Sequence, residues 1–551
     1  MEILNFIKIY EKSFAYNWDF PALTDYTKQE TMTYGQLAQS IALAHVFYES
    51  VGIKPGDKIA LCGKDSSDWI RTYMGIVTYG AIVVPILADF NPIDITHIVN
   101  HSGASILIVQ ASIWEHIDPE SLVNVKAVFA LNSNHVLYEA DGQEIHRHAR
   151  LSRRRFEKKY PNGYSAKDIR YADRSNDELA EINYTSGTTG FSKGVMLTGG
   201  NLAGNVCFGM QSKLHYRKSR ALSFLPLAHA YACAFDMLTP LAVGSHVTVL
   251  DKTPSPRILL KALSEVKPNL IICVPLILEK IYKNQILPML AKKPINFALS
   301  LPLVDGLVYS KIRKKLIEAF GGEFYEVIVG GAALNHEVEN FLYKVKFPFT
   351  VGYGMTECGP LISYTDWKEF KPGSAGRTLP IMETIVMSEN PEKIPGEVCV
   401  KGANVMKGYY RNPEATRAVL DKDGWLKTGD MGTRTPDGTL FLKGRNKTML
   451  LSSSGQNIYP EEIEAKLNNM PFVAESLVVE RDGKLVGLVY PDYPALDKLG
   501  LASTDIGDKI EEIRSEVNKL VAPYERLSKI QLIPNEFEKT PKKSIKRFLY
   551  N

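Results

Sequence analysis

The chain has 551 residues, 45% of them apolar and 23% charged, an ordinary globular balance with ample material for a core. Its 65 basic and 61 acidic residues leave a net charge of +4, too mild to point to a nucleic-acid partner. Six scattered cysteines form no C-x-x-C pair and no zinc-type spacing with histidine, so the chain reads as reduced and cytoplasmic, without structural metal.

The opening segment, MEILNFIKIYEKSF, carries Glu2 and Lys8 where a secretion signal needs an apolar core. Its Ile3, Phe6, Ile7 and Tyr10 suit a helix packed on the body of the protein, with a helix lying on lipid as the alternative. No apolar run approaches the ~18 residues of a membrane span. The longest runs, GAIVVPILA (80–88) and LIICVPLIL (270–278), each contain a proline and read as buried strands. From about residue 30 to 450, short apolar strands alternate with helical patterns. KIALCG (58–63), AIVVPI (81–86), SILIVQ (105–110), SHVTVLD (245–251), NLIICV (269–274) and YEVIVGG (325–331) are strands, and YGQLAQSIALAHVFYES (34–50) is a helix. This pattern predicts an α/β fold, with helices covering largely parallel sheets. HRHARLSRRRFEKK (146–159) holds seven Arg/Lys against one Glu. It reads as a solvated surface loop. The alternative is a contact with an anionic membrane surface at ~1 kcal/mol per basic residue.

The pattern changes after Lys443. Pro460, Glu461 and Glu462 suit a helix start, and ESLVVERDGKLVGLVY (475–490) reads as a hairpin turning at Asp482-Gly483. A helix over 506–521 and a strand over 528–534 complete a compact α+β unit. Since single cores stop growing near ~250–300 residues, two or more domains are expected. The boundary falls within GRNKTM (444–449), which gives a large domain over 1–444 and a small one over 445–551.

One stretch carries chemistry on its face. In YTSGTTGFSKGVML (184–197), Gly187 and Gly190 let backbone N–H groups approach an anion. Thr185, Ser186, Thr188 and Thr189 add hydroxyl donors, and Lys193 adds a charge. A Walker A loop does not fit. Ser192 stands where its glycine would precede the lysine, Gly194 follows the lysine, and VMLT (195–198) reads as strand. The loop is expected to join two strands and hold phosphate.

These residues resemble the signature of the adenylate-forming superfamily, which includes acyl-CoA synthetases, luciferase-like enzymes and peptide-synthetase adenylation domains. Ser192 replaces the usual proline. The resemblance runs from MTYGQL (32–37) to the tail. It implies an α/β large domain built of subdomains, with a small mobile α+β domain behind it. In FLPLAHAYA (224–232), it puts His229 beside the reacting carboxylate or Mg²⁺; a satisfied core histidine is the competing reading. In VGGAAL (329–334), Gly331, Ala332 and Ala333 become the adenine wall. In VGYGMTECG (351–359), Tyr353 stacks on adenine with Gly354 beside it, Thr356 bonds an α-phosphate oxygen, and Glu357 holds Mg²⁺. Asp430 of GWLKTGD clamps the ribose, Arg445 contacts ribose or phosphate, and Lys447 is the hinge. Gly455 lies in the segment that closes on CoA. The family's catalytic lysine has no counterpart in strict register. In KTPKKSIKR (539–547) that position is Ser544, so Lys543 is the candidate, and a basic solvated tail is the alternative.

The resemblance implies an ATP-dependent fatty-acid:CoA ligase that works through an acyl-adenylate and releases pyrophosphate and AMP. The segments LPLAHAYA, VGGAALNHEVENFL and YGMTECGPLIS are most like those of long-chain enzymes, with Cys233, Ala234, Phe235, Gly330 and Gly331 as tunnel candidates. Two alternatives stand beside it. One is an enzyme that loads an acyl carrier protein or adenylates a medium-chain or other carboxylate. The other, motivated by Ser544, is a nucleotide- and fatty-acid-binding protein with impaired catalysis. ATP, Mg²⁺, CoA and a fatty acid are the expected small molecules, with peripheral contact at the inner membrane surface a further expectation.

Overall fold

The computed structural model describes residues 1–133, 135–185, 193–290, 304–451, 456–497, 506–540 and 545–550. The strands and helix predicted up to residue 331 fall where periodicity puts them, the helix spanning Tyr34–Ser50. Thr33 and Gln36 close a capping box at its start, which satisfies backbone donors that a helix end leaves free.

The widest sheet orders its strands Gly408–Tyr409, Lys193–Thr198, Leu179–Thr185, Ile82–Ile86, Lys58–Cys62, Ile106–Val109, Ala127–Ala130 and Val136–Glu139. The run from Leu179–Thr185 to Ala127–Ala130 is parallel, and both flanks are antiparallel. A second sheet sets Arg220–Ser223, His246–Val249 and Pro21–Asp25 in parallel, with Glu30–Thr33 antiparallel at its edge. A third is wholly parallel: Leu270–Cys273, Glu326–Val329 and Phe349–Val351.

Within the region up to residue 450, the last parallel strand described is Phe349–Val351. Met382–Met387, Gly396–Gly402, Leu426–Arg434 and Leu440–Arg445 form an antiparallel sheet. Their alternation is visible in Met382–Met387, whose residues are buried and exposed in turn. The run 270–278 is also not all strand, because Pro275 opens the helix Pro275–Ile281, where its missing N–H costs nothing.

The N-terminal helix Phe6–Tyr16 packs inward, with Phe6, Ile7, Tyr10 and Phe14 buried. The Tyr10 hydroxyl donates to the Leu238 carbonyl at 3.2 Å and Ser13 to that of Leu241 at 2.6 Å. Residues 146–159 are helical, not a loop. The helix Ile145–Lys159 turns Ile145, Ser152 and Phe156 inward, and Phe156 meets Ala42 and Val46 of the 34–50 helix. Its basic side chains project outward, Arg147 being 72% and Arg153 83% exposed. Among the described residues no helix is long and apolar enough to cross a membrane.

One large apolar core runs from Phe6 to Leu440. Residues from Ile458 onward bury separate cores on the two faces of the sheet Val473–Arg481, Lys484–Pro491 and Lys529–Leu532. Val478 and Val489 face the helices Pro460–Asn468 and Ile506–Lys519, while Leu477, Val479 and Val486 face Phe537. The hairpin turns at Asp482 and Gly483, both with positive φ (52° and 68°), as a tight primed turn needs.

Candidate active site

The predicted phosphate loop hangs between two paired strands. Thr185 faces Lys193 and Tyr184 faces Gly194 in antiparallel register. Ser186, Gly187, Thr188, Thr189 and Gly190 lie outside the described residues. Lys193 emerges with its ammonium 4.9 Å from the centre of the Tyr409 ring, a cation–π distance. The Tyr409 hydroxyl donates to Glu357 Oε1 at 2.8 Å. Burial, followed by the Glu357 charge, pushes the Tyr409 phenol well up, so it stays a donor. The residues expected to meet phosphate and Mg²⁺ are thus joined through a tyrosine that sequence reasoning missed. Its only signal was the aromatic pair in KGYYRNP (407–413).

Glu357 sits in the short turn Thr356–Cys358 and is half-buried. Its backbone carbonyl accepts the Met406 N–H at 2.8 Å, which fixes the turn. Mg²⁺ is typically held by one or two carboxylates together with substrate phosphates and water. Glu357 makes no ion pair among the described residues, and its carboxylate has lone pairs beyond the one Tyr409 uses, so the site fits that mode. Thr356 beside it is 7% exposed.

Two further expected residues meet directly. The Tyr353 hydroxyl donates to Asp430 Oδ2 at 2.7 Å, and Arg445 Nε lies 3.2 Å from Asp430 Oδ1. Asp430 and Arg445 are cross-strand partners, so the sheet itself sets the pair. The Asp430 N–H donates to Thr428 Oγ1 at 3.1 Å, and Thr428 donates to the Val398 carbonyl at 2.7 Å. Burial raises the Asp430 pKa, while Arg445 and Tyr353 pull it back. Gly354 pairs with Leu361 so closely that an added Cβ would lie 2.3 Å from the Pro360 carbonyl oxygen. Glycine is obligatory there on steric grounds. The segment 353–357 therefore reaches Asp430 at one end and Tyr409 with Lys193 at the other.

Gly331, Ala332 and Ala333 follow the middle strand of the parallel sheet and are exposed, whereas Leu334 is buried. That is the carboxyl end of a parallel strand, where α/β sheets bind ligands. Gly331 has φ 89°. At Gly330 an added Cβ would lie 2.8 Å from the Tyr231 ring, whose hydroxyl donates to the Ile328 carbonyl at 3.1 Å. His229, half-buried, caps a turn: its N–H donates to the Pro226 carbonyl at 2.9 Å and its Nδ1 accepts the Tyr231 N–H at 3.5 Å. The same loop is tied by the Leu227 N–H to Asp65 Oδ1 at 3.0 Å. Burial raises the Asp65 carboxyl to about 7. Cys233, Ala234 and Phe235 are buried in the π-helical turn Cys233–Leu238, a wide turn frequent at functional sites.

Asn335 joins the 331–333 segment to the C-terminal unit, donating to the Ala465 carbonyl at 3.4 Å and to the Asn469 side chain. Lys283 also crosses, donating to the Val473 carbonyl at 2.9 Å and pairing with Asp492 at 3.4 Å. Lys447 is exposed in the turn Asn446–Thr448. Lys543, Ser544 and Gly455 lie outside the described residues.

A family model for AMP-binding enzyme matches residues 10–410. The chain is 26% identical to the long-chain-fatty-acid–CoA ligase FadD15 of Mycobacterium bovis, across 94% of this chain and 90% of that one. It is also 26% identical to 4-coumarate:CoA ligase 1 of Petunia hybrida, across 93% and 87%. The crystal structure of the anthranilate CoA ligase AuaEII in complex with anthranoyl-AMP superposes with a TM-score of 0.79 at 20% identity, covering 100% of this chain and 97% of that one. That last likeness is one of fold.

Proposed function

Because the chain belongs to the AMP-binding enzyme family, we propose that it is an ATP-dependent ligase joining a long-chain fatty acid to CoA. Its family and relatives make it an adenylate-forming acyl- or aryl-CoA ligase, an acid–thiol ligase. The long-chain reading is favoured by the FadD15 likeness and by the wording of 225–232, 329–342 and 353–363.

The observation that carries the reading is the reach of residues 353–357, which link Asp430 and Arg445 on one side to Tyr409 and Lys193 on the other. A nucleotide laid along that line meets each group in the order its parts require. The exposed Gly331–Ala333 backbone and the Tyr353 ring flank the flat base. The Asp430 carboxylate accepts both ribose hydroxyls, displacing Arg445 toward ribose or phosphate. Thr356 donates to the α-phosphate, and Lys193 with Thr185–Gly190 holds the outer phosphates. Mg²⁺ at Glu357 would draw negative charge from the phosphates. His229 closes the side on which the acid enters. Substitution at phosphorus is mostly positioning and charge stabilisation, which this set supplies together with Lys543.

The acid carboxylate attacks the α-phosphorus and expels pyrophosphate; CoA thiol then attacks the acyl carbon and expels AMP. The separate cores before and after residue 445 support a division there, with the hinge near Lys447. A domain swing lets one site serve both steps.

The test is thioester formation with ATP, Mg²⁺ and CoA across acids from butyrate to stearate, with 4-coumarate alongside and acyl carrier protein as a rival acceptor. A maximum at palmitate or stearate with CoA is expected. A maximum at 4-coumarate overturns the long-chain reading, and no pyrophosphate with any acid overturns the ligase. Lys543→Ala should cripple pyrophosphate release; full activity in that variant would remove Lys543 from the site.

A further inference from the structure

Successive residues of a strand point to opposite faces of the sheet. The Thr185–Lys193 pair and the neighbouring Tyr184–Gly194 pair therefore face opposite ways. The Lys193 face holds Tyr409 and Glu357. The reverse face holds a second group, which the proposed chemistry does not use.

There Tyr184, 3% exposed, shares a 2.7 Å hydrogen bond between its hydroxyl and His101 Nδ1. The two rings meet edge to face at 5.8 Å. His101 lies in the last turn of the helix Pro92–Ser102, and its carbonyl accepts Arg411 Nη1 at 3.1 Å. The Tyr410 ring meets the His101 ring at 5.9 Å, and the Tyr410 N–H donates to the Gly194 carbonyl at 2.7 Å. Gly194 has no room for a side chain: a Cβ would lie 2.9 Å from Ile182 Cγ2 and 3.0 Å from Tyr184 Cζ. Tyr184, His101, Tyr410, Arg411 and Gly194 thus close a packed unit directly behind Thr185 and Lys193.

We infer that His101 is a positioning residue for ATP, acting through Tyr184 to fix the end of the hairpin from which Thr185 and Lys193 reach the phosphates. The inference rests on the nucleotide reading above. His101 itself touches no substrate. Other groups face it from each packed element: His97 of its own helix, Tyr184, and Tyr410 with Arg411. Lys58 stands over the Tyr410 ring at 5.8 Å. Burial, then His97 and Arg411, lower the His101 pKa. The ring is therefore neutral at neutral pH, and acidification would add a cation beside Arg411.

The experiment uses the full-length chain and measures ATP-dependent pyrophosphate release and thermal melting. The variants are His101→Leu, His101→Asn, Tyr184→Phe and the His101→Leu/Tyr184→Phe double. Losing the shared bond should raise KM for ATP about fivefold in His101→Leu and in Tyr184→Phe. The double variant should be no worse than either, because one bond is lost in each. KM for acid and for CoA should not move. Asparagine places a hydrogen-bonding atom near the Nδ1 position, so His101→Asn should stay near wild type, and a rise in KM for ATP on acidification is expected in wild type and not in this variant. Unchanged KM for ATP in His101→Leu overturns the inference. So do additive effects, or equal losses for all substrates alongside a lower melting temperature. A wild type that neither binds nor turns over ATP overturns the nucleotide reading as well; an active wild type with unaffected variants overturns this inference alone.

Discussion

Glu326 begins the strand whose far end leads into Gly331–Ala333, and it is 1% exposed. One carboxyl oxygen accepts the Tyr364 hydroxyl at 2.6 Å and the other the Trp367 N–H at 2.7 Å. Burial outweighs both donors and raises its pKa from 4.5 to about 7. The native state therefore holds this proton more tightly than the unfolded chain does. The stability gained is complete below the unfolded pKa of 4.5 and is lost as pH climbs through 7. The gap between those values, at about 1.36 kcal/mol per unit, amounts to about 3 kcal/mol. Most of it is lost between about pH 5 and about pH 8. Glu326→Gln removes the titration. Urea unfolding of wild type and variant, followed by tryptophan fluorescence at both pH values, isolates the effect from every other group. The difference in unfolding free energy should move in the variant's favour by about 2–3 kcal/mol on going to the higher pH. Parallel curves would mean that the carboxyl is ionised inside the fold, and would refute the claim that burial dominates.

Asp430→Asn removes a charged acceptor from Tyr353 and Arg445 and from the proposed ribose hydroxyls. Bonds to charged groups are worth about 1.5–3 kcal/mol, so KM for ATP should rise by about tenfold or more while KM for CoA holds. An unchanged KM for ATP would move the ribose elsewhere. Gly354→Ala drives a methyl against the Pro360 carbonyl oxygen at 2.3 Å, a backbone atom that cannot swing aside. Both melting temperature and activity should fall; an alanine variant as stable and active as wild type would contradict the pairing of Gly354 with Leu361.

Local signals were legible in the sequence because they need no distant partner. The helix Tyr34–Ser50, the strands up to Val329 and the turn at Asp482–Gly483 all follow from periodicity or turn chemistry over a few residues. Strand direction between Tyr353 and Arg445 was missed although its signal is local: the links from Met387 to Gly396 and from Arg434 to Leu440 are too short for the crossover that a parallel pair needs. The helix Ile145–Lys159 looks like a loop in sequence because only Ile145, Ser152 and Phe156 turn inward, too few for a clear apolar stripe. In the candidate site, Tyr353, Glu357 and Asp430 were singled out by resemblance to a known motif. Tyr409 was not, because its meaning depends on Lys193 and Glu357, which come from other strands far away along the chain.

The pairing of Gly408–Tyr409 with Val195 and Met196 also bears on how the protein is made. The outer edge of the hairpin Leu179–Thr185/Lys193–Thr198 is closed by residues translated roughly two hundred codons after it. Until they leave the ribosome, the Lys193–Thr198 strand presents open backbone donors and acceptors to whatever strand arrives first. A nascent chain that ends before Gly408 would therefore leave that edge of the sheet without its antiparallel partner.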